Sequence, residues 1–234
     1  MPKNAKKLSV IIPTYNEETT LPIIIERVQN VRLPLEKEII VVDDGSTDRT
    51  AEVLAKIKNI NILRNERNQG KGAAIKKGLA EATGDIVLIQ DADLEYDPDD
   101  YEKLIRPILN DMADVVFGSR FRGDTQRVLY FWHYVGNSLV TLISNIFTNL
   151  NLSDVYTGYK VFRGEVIQKI TPLLKSKRFA IEAELTARIA HGRWRIYEVP
   201  ISYFGRTYKE GKKIYWWDGL RAIVGILWFN LVDR

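Results

Sequence analysis

Ile86–Pro98 reads IVLIQDADLEYDP, and the fold follows from how that stretch changes character. Ile86 to Ile89 are consecutive apolar residues behind Gly84–Asp85, the pattern of a short strand buried on both faces. Asp91, Asp93, Glu95 and Asp97 then fall at every second position until Pro98 closes the run. Carboxylates crowded at the carboxyl end of a buried strand repel one another and lose hydration unless positive charge joins them. A divalent cation carrying a diphosphate is the simplest such partner, and a solvated acidic loop is the plain alternative.

Outward from this stretch, apolar runs alternate with helical ones. Leu8–Pro13, Glu38–Val42, Ile60–Leu63 and Val115–Gly118 read as further strands. Thr19 or Thr20 can cap a helix through about Gln29, and further helices fit Thr50–Lys58, Gly72 to about Gly84, and Asp99–Leu109. Regular alternation predicts an α/β fold: a Rossmann-like, mostly parallel sheet with helices on both faces. Ligands of such sheets lie at the carboxyl ends of the strands. The unusual polar groups collect there: Thr14 to Glu17, Asp43 and Asp44, Asp91 to Glu95, and Ser119–Arg120. No dinucleotide or P-loop glycine motif is present. Asn68–Gly72 (NQGKG) could turn tightly into a helix with Lys71 reaching a phosphate, or be an ordinary turn with a solvated lysine.

With 234 residues the chain can bury one full core, and the whole of 1–234 is expected to form one domain. Residues 1–125 read as its nucleotide and metal half, 126–234 as its acceptor and membrane-interface half. The absence of cysteine excludes disulfides and thiolate chemistry, and two histidines exclude a histidine-rich zinc site. Met1–Lys7 runs straight into a strand and does not resemble a signal peptide. Charge is uneven: 19 basic and 23 acidic residues precede Lys160, whereas 15 basic and 7 acidic residues follow from it onward. A basic last third suits an anionic ligand or membrane surface, and charge alone would also admit nucleic acid.

Val128–Leu150 carries no formal charge, but polar residues from Asn137 to Asn149 interrupt it. Its apolar residues recur at helical spacing, which predicts an amphipathic helix on a bilayer surface or acceptor groove rather than a span; a core helix is the alternative. Phe179–Ala190 reads as a helix bearing Glu182 and Glu184, and Arg195–Tyr203 as an edge strand because of Pro200. The basic loop Gly205–Lys213 precedes Tyr215–Val232, a tryptophan-rich stretch suited to an interfacial anchor or to docking on the sheet.

These residues fit a nucleotide-sugar transferase. Asp91 and Asp93, with Glu95 as a third candidate, could share one cation that stabilises a departing diphosphate. Asp43 and Asp44 could accept hydrogen bonds from a base or ribose, although Asp43 could equally be a turn residue. Arg120, Arg122 and Arg127 could hold an acceptor phosphate or lie on a solvated loop. A phosphate acceptor is already ionised and needs no general base; a sugar hydroxyl would need one, with Glu182 or Glu184 as candidates. A pure membrane- or nucleic-acid-binding module would leave the strand-end carboxylates unexplained.

The motifs VIIPTYNE (Val10–Glu17), VVDDGSTD (Val41–Asp48), NQGKGAAIKKG (Asn68–Gly78), DADLEYDP (Asp91–Pro98), GSR (Gly118–Arg120), TGYKVFR (Thr157–Arg163) and PISYFGRTYKEGKKI (Pro200–Ile214) together resemble the family 2 glycosyltransferases. Within them the set is most similar to polyprenyl-phosphate hexosyltransferases of the dolichyl-phosphate mannose synthase type. The resemblance implies a GT-A fold with C-terminal amphipathic interface helices, a Mg or Mn ion, and inversion at the sugar carbon. It implies a nucleotide-sugar donor, GDP-mannose ahead of UDP-glucose or UDP-N-acetylglucosamine, and a polyprenyl or dolichyl phosphate acceptor. Pro13, Tyr15, Glu17 and Asp44 would line the nucleotide site, with Asp43 and Lys71 beside them. Asp91, Asp93 and Glu95 would take the metal, where the family often has glutamine at the last position. Arg120 and Arg127, assisted by Ser138, would take the acceptor phosphate. Arg206 and Lys212 would belong to a segment closing over the donor. The implied setting is the cytoplasmic face of a membrane, held peripherally or through a membrane-anchoring subunit, with no nucleic-acid partner.

Overall fold

A computed structural model describes residues 5–122, 127–128, 130–206 and 216–233. The elements run β1 (Lys7–Thr14), α1 (Leu21–Asn30), β2 (Glu36–Asp43), α2 (Thr50–Leu54), β3 (Asn61–Arg64), α3 (Lys71–Glu81), β4 (Ile86–Ile89), α4 (Tyr101–Leu109), β5 (Val115–Ser119), α5 (Phe131–Thr148), β6 (Lys160–Arg163), α6 (Gly164–Ile170), α7 (Ile181–His191), β7 (Ile196–Pro200) and α8 (Trp216–Leu231). The strands form one sheet in the order β3-β2-β1-β4-β6-β5-β7. All pairings are parallel except those of β6, which runs antiparallel to both β4 and β5.

Alternation along the strands divides the core into two layers. Val10, Ile12, Ile86 and Leu88 face α1 and α4, where Ile24, Ile25, Leu104 and Ile105 meet them. Ile11, Val87 and Ile89 face the opposite layer, built from Ile75 and Leu79 of α3, Ile167 of α6 and Leu185 of α7. This is the expected arrangement of a mostly parallel sheet covered on both faces. β7 is an edge strand, as Pro200 predicts.

The second half departs from a simple continuation. Strand β6, from beyond residue 126, inserts between β4 and β5 of the first half, so the two halves share one sheet. The reversal places the start of β6 at the ligand edge: Lys160 pairs with Ile89 on one side and Phe117 on the other. Helix α6 was not anticipated; seven residues show too little periodicity to announce a helix. Helix α2 is only five residues long, and Thr20 gives no side-chain cap to α1 because its hydroxyl donates to Glu17.

Helices α5 and α8 lie outside α7, sharing a small core of Val140, Ala183, Ala222 and Ile226. Helix α5 ends where Asn149 takes a left-handed conformation (φ 55°). Only Val140, Thr141 and Ser144 of α5 are buried, leaving Phe131, Trp132, Leu139, Leu142 and Ile146 exposed. Trp217, Val224 and Trp228 of α8 are likewise exposed. Among the described residues, no helix is long and apolar enough to cross a membrane.

Candidate active site

The end of β4 delivers Asp91 and Asp93 to the sheet edge. Leu94 then turns through a left-handed conformation (φ 63°), and the Glu95 N–H donates to Asp93 Oδ1 at 3.2 Å. Beneath them lies an aromatic floor, with the Tyr101 and Tyr159 hydroxyls both donating to Gln90 Oε1 at 2.8 and 2.7 Å. Gly158 lies against Asp91; a Cβ there would sit 2.3 Å from Asp91 Oδ2, so glycine is required for this approach.

Positive charge meets each carboxylate. Lys71 Nζ lies 2.7 Å from Asp91 Oδ1 and 3.2 Å from Glu182 Oε1. Arg206 Nη2 lies 2.8 Å from Asp93 Oδ2, and its Nε lies 3.4 Å from Glu95 Oε1. Even so, burial and the charges of Asp91 and Glu95 push the Asp93 carboxyl up to about 7, against the pull of Arg206. Such a pocket calls for more positive charge than the chain supplies, and hard carboxylate oxygens suit Mg or Mn. The expected triplet is not assembled, however. Among the described residues no three carboxylate or imidazole groups gather in a metal-holding arrangement. Glu95 accepts from the Tyr203 hydroxyl (3.0 Å) and the Arg206 N–H (2.9 Å), and so anchors the 203–206 segment.

At the end of β2 the neighbouring aspartates differ. Asp44 accepts from the Gln69 and Gly70 N–H groups (3.0 and 2.6 Å) and from Asn65 Nδ2 (2.7 Å). It therefore occupies the anion position at the start of α3, which NQGKG alone suggested for a phosphate. Its buried oxygens are held by the protein. Asp43 is also buried, but only Oδ1 is bonded, by the Ser46 N–H at 2.9 Å. Among the described residues Oδ2 accepts no hydrogen bond, but it forms an ion pair with Arg64 Nε at 3.3 Å. Thr14 Oγ1, across from Asp43 in the β1–β2 register, is buried and makes no hydrogen bond among the described residues. Pro13 is buried in β1, and Tyr15 stands exposed just beyond it. Glu17 accepts from Thr20 at the foot of α1.

The three arginines sit in different surroundings. Arg120 is nearly enclosed and paired with fully buried Asp154 through Nε and Nη2 (2.6 and 2.8 Å). Its Nη2 also reaches Asn137 Oδ1 at 3.3 Å, and its guanidinium lies 5.1 Å from the Tyr203 ring centre. A buried guanidinium needs such a counter-charge, so Arg120 ties β5 to α5 and to the 203–206 segment. Ser138 follows Asn137 on α5 and is half-buried. Arg127 is exposed and donates to the Gly205 carbonyl at 3.3 Å. Arg122 faces Glu198 at 3.3 Å. Lys212 lies outside the described residues.

Both glutamates of α7 are buried and held by protein groups. Glu184 is fully buried and accepts from the Lys175 and Ser176 N–H groups. Glu182 pairs with Lys71 and with Lys160, itself fully buried on β6. Burial opposes ionisation of Glu182, but the two ammonium groups hold its pKa below the usual carboxylate value, which makes it a poor proton acceptor. Lys160 and Asp154 are thus the main residues the sequence left unmarked. Lys160 lies inside the quoted TGYKVFR stretch, and the partner of each residue is distant in sequence.

Residues 9–171 match the family described as Glycosyl transferase family 2. The chain is 29% identical to a dolichol-phosphate mannosyltransferase of Pyrococcus furiosus over 97% of its own length, and spans 66% of that protein. It is 28% identical to a UDP-N-acetylglucosamine–dolichyl-phosphate N-acetylglucosaminyltransferase of Methanococcus voltae, covering 88% of this chain and 89% of that one. In fold it is similar to glucosyl-3-phosphoglycerate synthase from Mycobacterium tuberculosis, crystallised with Mn2+, UDP and phosphoglyceric acid: TM-score 0.77, 21% identity, covering all of this chain and 81% of that one. The matched segment runs from β1 through the whole carboxylate edge to the end of α6, so the strand-end site and the family pattern coincide, and the chain belongs to glycosyl transferase family 2.

Proposed function

We propose that this protein transfers a hexose from a UDP-sugar to a phosphate-bearing acceptor, a polyprenyl phosphate, with inversion at the sugar carbon. The observation that carries the donor class is the pair Asp91 and Asp93, held at the ligand edge by cationic side chains and still short of positive charge. Asp91 and Asp93 would hold a Mg or Mn ion, which when bound neutralises the donor diphosphate. Lys71 and Arg206 flank that position and add charge against the leaving group. An acceptor phosphate oxygen attacks the anomeric carbon; the bond to the diphosphate breaks, and the diphosphate leaves with the bonding electrons. The ionised phosphate needs no base, in keeping with the sealed Glu184 and the ion-paired Glu182.

Uridine is favoured over guanosine by Asp43. Guanine offers two adjacent N–H donors, which suit a carboxylate with both oxygens free. Uracil offers one imide N–H, and Asp43 has one oxygen that accepts no hydrogen bond among the described residues, with Arg64 as its ion-pair partner. The choice of UDP over the GDP expected from resemblance rests on this difference. The lipid acceptor is supported by the exposed apolar faces of α5 and α8, reached from the site through Arg120 and Asn137. Those faces would rest on the membrane, with exposed Arg127 near the acceptor phosphate.

Radiolabelled UDP-glucose, UDP-N-acetylglucosamine and GDP-mannose, each with Mn2+ and either polyprenyl phosphate or 3-phosphoglycerate, test the reading. Label from a UDP-sugar should enter the lipid fraction. Faster transfer from GDP-mannose would overturn the base assignment. Transfer to phosphoglycerate alone would overturn the acceptor, and no transfer from any donor would overturn the activity.

A further inference from the structure

The sharing of Lys71 between two carboxylates has a use beyond neutralising Asp91. Its side chain contacts Asp91 Oδ1 and Glu182 Oε1 at once, at 2.7 and 3.2 Å. Glu182 Oε2 is held from the other side by Lys160, whose ammonium also donates to the Thr157 carbonyl at 2.5 Å. Lys160 is fully buried and fixed in β6 between two strands. Glu182 and Lys160 therefore form a rigid pair, while Lys71 bridges that pair and Asp91. The backbone of Lys71 is pinned as well. The preceding Gly70 N–H is held by Asp44, and a Cβ on Gly72 would come within 2.4 Å of the Ser176 carbonyl oxygen. Only the flexible side chain of Lys71 is left to move.

We propose that Glu182 is a positioning residue: it is the carboxylate onto which the Lys71 ammonium withdraws when a divalent cation takes Asp91. The proposal rests on the metal assignment made above. Two cations on one carboxylate would repel each other. Because Glu182 already contacts Lys71, a short swing keeps the lysine paired and frees Asp91 Oδ1 for the incoming ion. Glu182 is then what allows a site that neutralises itself when empty to accept a metal. Without it, Lys71 would have Asp91 as its sole carboxylate partner among the described residues and would compete with the cation.

Mn2+ binding without nucleotide, followed by the electron paramagnetic resonance signal of the free ion, tests this directly. Lys71→Gln removes the competitor and should bind Mn2+ about 5- to 10-fold more tightly than wild type. Glu182→Gln removes the place of withdrawal and should bind about 5- to 10-fold more weakly. Combining the two should restore tight binding, an epistasis that a structural role for Glu182 would not produce. Since Glu182→Gln leaves Lys160 buried without a counter-charge, Lys160→Met/Glu182→Gln serves as the folded alternative, checked by circular dichroism, and should show the same weakening. If Asp91→Asn abolishes Mn2+ binding but the Lys71 and Glu182 variants bind as wild type does, the withdrawal is wrong and the metal assignment stands. If Asp91→Asn binds Mn2+ as wild type does, both fall.

Discussion

The ends of β2 and β4 carry acidic clusters of similar composition, yet they are neutralised in opposite ways. At β2, Asp44 is bound mainly by backbone N–H groups and one amide side chain. At β4, Asp91 and Asp93 are bound by the ends of long, flexible side chains, Lys71 and Arg206. Backbone donors cannot leave without unfolding a turn, whereas ammonium and guanidinium groups can be exchanged for another cation. Asp44 is thus part of the frame, whereas Asp91 and Asp93 keep partners that a ligand could replace. The partner, rather than the carboxylate, decides which.

The sharpest way to break this contrast is Asp91→Asn. It should lower hexose transfer about 10³-fold, the scale of losing a main electrostatic group, with little change in the melting temperature. Asp44→Ala should do the reverse. It leaves several buried donors unsatisfied and should cost about 3 kcal/mol in urea unfolding, seen as a lower midpoint at constant slope. A melting temperature that falls more for Asp91→Asn than for Asp44→Ala would collapse the distinction. Asp43→Asn retains the oxygen bonded by Ser46 and should raise the KM for the UDP-sugar about tenfold, with kcat nearly unchanged.

The smallest effect lies at the opposite edge of the sheet, where Glu38 accepts from Lys7, Ser9 and Thr83. Burial opposes its charge, but these donors outweigh it and lower its pKa from 4.5 to about 2. A carboxylate with a lowered folded-state pKa stabilises the fold fully above its unfolded value. That contribution fades as pH falls from about 4.5 toward 2. Melting curves across this range should decline less steeply for Glu38→Gln than for wild type. An unchanged slope would show that Glu38 is not part of the acid sensitivity.

Strand periodicity made the carboxylate edge readable, because β1, β2, β4 and β5 are short apolar runs that each stop at a polar group. Pro200 marked the sheet edge for its own local reason, the missing N–H. What escaped depends on contacts between residues far apart in the chain. Nothing near Arg120 announces Asp154, and nothing near Glu182 announces Lys160, yet each pair decides whether its members face solvent or each other. The contacts of Glu95 are hidden for the same reason, since Tyr203 and Arg206 reach it from more than a hundred positions away. The direction of β6 was equally hidden, because four residues read the same either way.

That reversed strand bears on how the molecule is made. As the chain leaves the ribosome, β1 to β4 can pair before β6 exists, and β4 then waits as a bare apolar margin until residues 160–163 arrive to cover it. A fragment stopped near residue 125 would keep the strand-end carboxylates of β2 and β4 but present β4 as an adhesive seam. Such a fragment should aggregate during expression, and the late-arriving third of the sequence acts as the clasp that closes the early two thirds.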